Sequence, residues 1–132
     1  MADHNIVGVI GEDLATKWLM DRGFLIIERN YLRKWGEIDV VTRGTDKMLH
    51  FVEVKSVSYE TKEDLEWSVT HETHRPEENV HKNKQNRLKR AIETWIAEKR
   101  YKGRFQIDIL IVYLVPREKY ARVKRIENVI FE

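Results

Sequence analysis

Residues 36–56, GEIDVVTRGTDKMLHFVEVKS, contain two apolar runs on either side of a short polar turn. Both runs are rich in β-branched and aromatic residues, which predicts two strands, 36–43 and 48–57, joined as an antiparallel hairpin. Each strand also carries an acidic residue among its apolar ones. An antiparallel register around the turn makes Asp39 and Glu53 near cross-strand neighbours. A sheet that accepts these two side chains must compensate for their mutual repulsion.

Side chains alternate between the two faces of a regular strand. In the first strand this rule places Asp39 on the face opposite Ile38 and Val40. In the second strand it places Lys55 on the same face as Glu53. We therefore expect one face of the hairpin to present two carboxylates and an ammonium group together.

Three kinds of compensation are consistent with paired carboxylates in a sheet. Lysine or arginine side chains could form an ion-pair network, one carboxylate could bind a proton as its pKa rises, or a divalent cation could lie between them. Oxygen ligands suit Mg²⁺ or Mn²⁺, and Mg²⁺ typically uses only one or two protein carboxylates. Lys55 would then lie beside the place for an attacking water and a phosphate. The residue pattern alone leaves the ion-pair network and the metal site open.

The remaining elements follow from hydrophobic spacing. They are a helix over 6–21, a strand over 24–30, a turn over 30–35, a loop over 58–79 with one short helical turn around 65–67, a helix over 80–101, an apolar strand over 104–115, and an edge strand or short helix over 120–131. This order predicts an α/β fold in which helices cover a mixed sheet. At 132 residues the chain is long enough for one domain, residues 1–132, and too short for two comfortable ones.

The first helix has an apolar stripe that recurs every three to four residues. The stripe contains Val7, Ile10, Leu14 and Trp18. At about 100° per residue, Glu12 lies within about 20° of Leu19 around the helix axis, at the edge of the apolar arc. We therefore expect Glu12 at the place where the helix meets the sheet.

An acidic residue also interrupts the apolar strand over 104–115. An unpaired charge at Asp108 would be expensive in a strand covered on both faces. We expect a buried partner such as arginine or lysine for this carboxylate rather than a catalytic role.

Composition narrows the classes of function. The chain contains no cysteine, which excludes disulfides, thiolate catalysis and cysteine-based zinc sites. No run approaches the ~18 consecutive apolar residues of a membrane span. The first fifteen residues lack the basic start and long apolar core of a secretory signal, so we expect a cytoplasmic protein that does not enter a membrane.

Charge is distributed unevenly along the chain. Residues 1–80 contain 10 Lys and Arg against 16 Asp and Glu, whereas residues 81–104 contain 9 against 2. Basic residues crowd the first half of the second long helix, where they oppose the helix dipole and where bound phosphates would relieve that repulsion. A polyanion such as nucleic acid is the partner that this pattern favours, and a solvated helix face is the alternative.

Several segments together resemble a known family. They are GEDLATKWLMDRGFLIIERNY, WGEIDVV, HFVEVKS, NVHKNKQNRLKRAIETWI, RFQIDILIV and RIENVIF. The chain resembles the YraN-like family of the PD-(D/E)XK, restriction-endonuclease-like superfamily, to which archaeal Holliday-junction resolvases are more distantly similar. The resemblance implies a restriction-endonuclease-like αβββαβ core with a mixed central sheet flanked by helices. It also implies an Mg²⁺- or Mn²⁺-dependent endonuclease that hydrolyses phosphodiester bonds in structured or branched DNA.

Carried over by position, the resemblance assigns roles to five residues. Asp39 and Glu53 would be metal ligands, with the backbone carbonyl of Val54 as a third. Lys55 would position or activate the attacking water. Glu12 would support the metal or its water shell. A non-catalytic module that binds nucleic acid on the same fold is the alternative.

The basic helix supplies the expected contacts to nucleic acid. Lys84, Gln85 and Arg87 match the family's KQxR pattern, and Lys82 belongs to the same basic cluster. DNA is favoured over RNA, and a homodimer is consistent with small nucleases of this class. Ser56 departs from the family, which commonly has arginine after the E-x-K motif, and this weakens the expectation of a phosphate contact there.

Overall fold

The computed structural model describes residues 4–71 and 82–130. In chain order the elements are α1 (His4–Asp21), β1 (Leu25–Arg33), β2 (Gly36–Arg43), β3 (Leu49–Ser58), α2 (Lys62–His71), α3 (Lys82–Lys99), β4 (Phe105–Val115) and β5 (Tyr120–Ile126). The strands form one sheet in the order β1-β2-β3-β4-β5, in which β3 and β4 are parallel and the other neighbouring pairs are antiparallel. This arrangement confirms the predicted αβββαβ core and adds α2 and β5 to it.

Helices cover both faces of the sheet. On one face, Ala15 and Leu19 of α1 pack with Val40, Val52 and Leu110 of the central strands. All five side chains are fully buried. This apolar contact fixes α1 across β2, β3 and β4, because burial of such side chains contributes about 1.5–3 kcal/mol each.

The opposite face is shared by α3 and α2. Leu88 of α3 packs in a cluster with Phe51 of β3. Leu65 of α2 packs against Ile109 and Ile111 of β4. The two helices therefore cover neighbouring parts of one face.

Glu53 and Lys55 of β3 lie on the face that α3 and α2 cover. In the parallel ladder Glu53 is the partner of Ile109, and Lys55 is the partner of Ile111. Regular pairing along the whole of β3 keeps Glu53 and Lys55 on the face of Phe51. The predicted common face of Glu53 and Lys55 agrees with this register.

The helical turn predicted around 65–67 lies within α2, but the loop predicted on either side of it is wrong for the rest of residues 62–71, which also belong to that helix. The backbone N–H of Asp64 donates to Oγ1 of Thr61 (3.0 Å), and this side-chain cap starts the helix. Glu63 and Asp64 in the first turn favour the helix dipole. Leu65 is fully buried and attaches the helix to β4. Residues 72–79 of the predicted loop lie outside the described part of the chain.

The turn predicted over 30–35 is also too long, because β1 continues to Arg33 and pairs it with Gly36. Tyr31 accounts for the extension. Its ring is buried in the α3 cluster, and its hydroxyl donates to Oε1 of Glu98 (2.6 Å). Burial of this ring holds the chain in the ladder past the polar Asn30.

The predicted common face of Ile38 and Val40 is wrong. Ile38 packs in the α3 cluster, whereas Val40 packs in the α1 cluster. Between them the ladder with β1 passes from Arg29–Val40 to Tyr31–Ile38. The skipped residue of β1, Asn30, has a φ of 54°, in the left-handed region. The strand is therefore irregular at the residue that carries the first carboxylate, Asp39.

The buried stripe of α1 is rotated from its predicted position. Val7, Ala15 and Leu19 are buried, but Ile10 is 41% exposed. Leu14 and Trp18 are half-buried. The helix presents its smallest residues to β3, which leaves the larger Ile10 outside the contact.

The last two elements fall close to their predicted positions. α3 begins at Lys82 and ends at Lys99, inside the predicted range 80–101, whose first two residues are not described. β5 pairs antiparallel with β4 at the edge of the sheet, so the edge-strand alternative for 120–131 is the correct one. No helix in the described ranges is long and apolar enough to cross a membrane.

Candidate active site where β2 and β3 separate

The first carboxylate of the site lies where the ladder between β2 and β3 stops. The last pair of that ladder is Val40–Val52. One step further, Oδ2 of Asp39 accepts a hydrogen bond from the backbone N–H of Val54 (2.8 Å). The side chain thus occupies a position that a strand carbonyl would otherwise fill. The backbone of β3 therefore fixes the carboxylate of Asp39 between the two strands.

The second carboxylate lies beside the first. Glu53 precedes the Val54 amide that holds Asp39, and the two carboxylates lie close enough for each to shift the pKa of the other. Glu53 is buried, with a side chain 3% exposed, and its Oε1 lies 2.5 Å from Nζ of Lys84 on α3. Residues from three elements therefore meet at one point.

Burial and repulsion shift the protonation of this pair. Burial raises the pKa of Asp39, although the hydrogen bond from Val54 opposes the shift. Burial, followed by the negative charge of Asp39, raises the pKa of Glu53 to about 8, against the opposing charge of Lys84. Both shifts favour the protonated forms, so this pair binds protons more tightly than carboxylates in water do.

Glu12 approaches the same place from α1. Its Oε1 is buried and accepts no hydrogen bond from the described residues, since Nη2 of Arg29 is 3.6 Å away. Arg29 is held instead by Asp13, whose Oδ1 is 2.7 Å from that nitrogen. Burial, followed by the charge of Asp39, raises the pKa of Glu12. The predicted position of Glu12 at the edge of the helix contact agrees with the structure.

Two glycines let the flanking helices approach the sheet at this point. A Cβ atom on Gly11 of α1 would overlap Oγ of Ser56 on β3, and a Cβ atom on Gly36 of β2 would overlap the carbonyl oxygen of Arg87 on α3. Contacts this close are available only to glycine. Glu12 follows Gly11 directly, so the packing of α1 on β3 determines where the Glu12 side chain enters the site.

A cleft of about 320 Å³ opens over these groups. Its wall includes Glu12, Asp39, Val54, Lys55, Ser56 and Lys84. The structure thus brings together every residue predicted for catalysis or metal binding, with Glu53 beside Asp39. Of the predicted nucleic-acid contacts, Lys84 lies in the cleft itself, while Lys82 and Arg87 are exposed and Gln85 is half-buried on the first half of α3.

A model of the uncharacterised protein family UPF0102 matches residues 11–112. The chain belongs to family UPF0102. A UPF0102 protein of Dictyoglomus turgidum is 36% identical over 123 residues, which cover 92% of this chain and 94% of the relative. UPF0102 proteins of Campylobacter lari and Campylobacter fetus subsp. fetus are 34% and 33% identical, over 82% and 96% of this chain and 84% and 95% of their own lengths. These matches confirm the resemblance to the YraN-like family.

The names of the UPF0102 relatives describe no activity, so the chemistry of the site has to be judged from its donor atoms. No cluster of three or more His, Asp or Glu side chains is arranged for a metal within residues 4–71 and 82–130. Asp39 and Glu53 nevertheless supply two neighbouring carboxylates. The buried Oε1 of Glu12 lacks a hydrogen-bond partner among the described groups, and Oε1 of Glu53 has only the ammonium group of Lys84. One or two carboxylates with retained waters is the donor set that Mg²⁺ prefers, so the residues fit a hard divalent ion.

In the sequence of this UPF0102 chain, the position of Lys84 on the helix predicts that it faces the sheet, which a count of charged residues does not reveal. Lys84 lies one helical turn before the buried Leu88, in line with Trp95 further along the same stripe. A cation that continues an apolar stripe faces the sheet rather than solvent. Arg29, which lies close to Glu12, had no comparable signal, because cross-strand position alone does not reveal a contact with a helix.

Proposed function

We propose that this protein hydrolyses phosphodiester bonds in nucleic acid with the help of a divalent cation, Mg²⁺ or Mn²⁺. Structured or branched DNA is the proposed substrate, in the cytoplasm. The observation that carries the proposal is that Asp39, bonded to the backbone of Val54, and the buried Glu53, paired with Lys84, meet at an open cleft that Lys55 also lines. Two acids forced together in a partly buried place are costly for the fold and useful for binding a doubly charged ion.

Each residue of the cleft would have a different role in such a reaction. A bound divalent ion would lower the pKa of a water and neutralise charge on the phosphate. Asp39 and Glu53 would hold the ion, with the carbonyl of Val54 as the further ligand. Lys55 would orient the attacking water and stabilise negative charge on the phosphate. Glu12 would accept hydrogen bonds from water on the α1 side of the cleft.

The first half of α3 is the proposed contact surface for the DNA backbone. Lys82 and Arg87 are exposed there, and Lys84 connects this surface to the cleft. Phosphates bound along the helix would be led to the carboxylate pair. Binding of this kind weakens steeply with salt, because each neutralised phosphate releases counterions.

A second candidate function is binding of nucleic acid without cleavage. One specific observation favours it. The ammonium group of Lys84 already pairs with Glu53 without any ion. A module of this kind would retain the basic surface and the salt dependence but not the hydrolysis.

Cleavage of a synthetic branched DNA duplex in Mg²⁺ or Mn²⁺ tests the proposal. The wild-type protein is expected to cut, and Asp39→Asn and Glu53→Gln are expected to reduce cleavage below detection. Asparagine keeps an oxygen for the N–H of Val54, so loss of activity in that variant does not reflect loss of the strand contact. Glu37→Gln, at an exposed position on the same strand, is the matched control and should retain cleavage.

If the wild-type protein binds branched DNA at low salt but leaves it intact with either ion, that result supports the second candidate, a binding module. Calorimetric titration with Mn²⁺ separates the cases further, since a site that takes up no ion has no hydrolytic chemistry of this type.

A further inference from the structure

Lys84 does more in this structure than line a basic surface. Its Nζ lies 2.5 Å from Oε1 of Glu53, and the side chains are 44% and 3% exposed respectively. The partly exposed side chain of Lys84 therefore brings its ammonium group to a carboxylate that is itself buried. The positive charge of Lys84 also acts on Asp39.

We propose that Lys84 is a tethered counter-ion that occupies the place of the divalent cation at Glu53 and must move out of it when the cation binds. This inference rests on the proposed metal-dependent function. It concerns the resting state of the same site and predicts which residue controls its affinity for the ion.

The energetics of a buried carboxylate lead to this exchange. A buried carboxylate without a partner carries a large desolvation penalty. Lys84 supplies a partner in the absence of an ion, and an ion bound to Asp39 and Glu53 supplies a stronger one. An ion on Oε1 of Glu53 would lie against the ammonium group, and like charges at that separation repel. We therefore expect the ion to displace the ammonium group.

The structure gives the displaced side chain somewhere to go. The backbone of α3 is fixed at this point by Gly36 against the carbonyl of Arg87, so the helix does not have to move. The Lys84 side chain is nearly half exposed and can rotate into the mouth of the cleft. There its ammonium group would meet a phosphate of the substrate. DNA and the divalent ion should consequently bind with positive coupling, since each draws Lys84 away from Glu53.

Calorimetric titration of the full chain with Mn²⁺ tests the inference. Lys84→Met keeps the length of the side chain and removes its charge, and we expect the variant to bind Mn²⁺ about tenfold more tightly than wild type. Removal of the ammonium group favours binding of both a proton and a divalent ion at the carboxylates. The gain in binding free energy is larger for the doubly charged ion, so competition from the proton does not reverse the expected rise in Mn²⁺ affinity. Lys84→Arg retains the charge and should bind Mn²⁺ more weakly than the methionine variant.

Lys99→Met is the matched control. It removes the same charge from the same helix at an exposed position about 22 Å from Lys84 along the axis. That separation exceeds the screening length of about 8 Å at physiological ionic strength, so its affinity for Mn²⁺ should equal that of wild type.

A second measurement distinguishes a counter-ion from a merely structural lysine. Without metal, Lys84→Met should melt at a lower temperature than wild type, and saturating Mn²⁺ should reduce that difference. A structural lysine would lower the melting temperature equally in both conditions, which would overturn the inference. Equal or weaker Mn²⁺ binding by Lys84→Met would overturn it as well, while leaving the metal site intact. Absence of Mn²⁺ uptake by wild type and variant alike would overturn the proposed function, and the inference with it.

Discussion

Asp108 on β4 and the Asp39–Glu53 pair on β2 and β3 are acids buried in the same sheet, but their surroundings differ. Asp108 is 1% exposed and is surrounded by donors. They are the side chains of Gln106 and Arg125, the backbone N–H of Asn128 and the ring of His50, at 2.7–3.0 Å. Burial raises the pKa of Asp108, but these hydrogen bonds outweigh it and lower the pKa to about 2.

The acids of the cleft have fewer partners. Asp39 has the N–H of Val54, and Glu53 has Lys84 at the edge of solvent. Burial raises the pKa of both acids, and the charge of Asp39 raises that of Glu53 further. A buried acid whose donors are complete stabilises a fold. A buried acid that repels its neighbour and has few donors marks a place for a ligand. The difference between the two clusters is what assigns them different roles.

The largest expected effect breaks the structural cluster. Asp108→Asn removes the charge that holds Arg125 and His50, and loss of one partner from a buried network of this kind costs about 3–5 kcal/mol. Urea denaturation measures the loss. Glu127→Gln is the control, because Glu127 pairs with the same arginine (3.3 Å) from an exposed position and should change stability little. A loss of unfolding free energy below about 1 kcal/mol for the Asp108 variant would mean that Asp108 is not an acid that stabilises the fold.

Acid titration of stability should give a smaller effect in the same cluster. The folded pKa of Asp108, about 2, lies below its unfolded value of about 3.9. Its contribution, roughly 2–3 kcal/mol, is therefore present above about pH 3.9 and is lost as the pH falls through 2. Denaturation midpoints of wild type and Asp108→Asn between pH 2 and pH 5 should converge at the acid end. Parallel curves over that range would assign the stabilisation to something other than the charge.

His50 adds the opposite dependence at higher pH. Burial lowers its pKa, but the hydrogen bonds to Asp108 and Asp46 outweigh it, so the pKa is raised above the ordinary value. Its contribution is present below the unfolded pKa of about 6.5 and is lost as the pH rises through the folded value. Asp108 and His50 therefore support the structure together between roughly pH 4 and pH 6.5.

The smallest expected effect has the opposite sign and concerns the cleft. The folded pKa of Glu53, about 8, lies above its unfolded value of about 4.3. Its contribution is thus present below pH 4.3 and is lost as the pH rises through 8. In EDTA above pH 7, Glu53→Gln should be more stable than wild type by about 0.5–2 kcal/mol, although it is expected to abolish cleavage. Lower stability of this variant would place Glu53 among the structural acids.

Much of the fold and of the candidate site could be predicted from the sequence, because both depend on local patterns of residues. The hairpin register places Asp39 near Glu53, and β-branched runs define both strands. The common face expected for Ile38 and Val40 was wrong, because alternation assumes regular pairing and the strand is irregular at Asp39.

Contacts between distant segments were harder to predict. Only one turn of α2 was predicted, because Leu65 is its one fully buried side chain and a single buried residue produces no periodic pattern. The expected basic partner of Asp108 is confirmed as Arg125, but His50, 58 residues away, gave no sign of its part in the network. The pairing of Lys84 with Glu53 depends on how α3 lies across the sheet, which is a tertiary property.

The hydrogen bond from the N–H of Val54 to Asp39 ties the candidate site to the alignment of two strands. A one-residue slip of β3 against β2 would turn Glu53 to the α1 side, away from Lys84, and would bring a different amide to Asp39. An insertion or deletion that shifted this alignment would therefore separate the groups of the cleft as well as change the length of the hairpin. The candidate site and the geometry of the hairpin depend on one another.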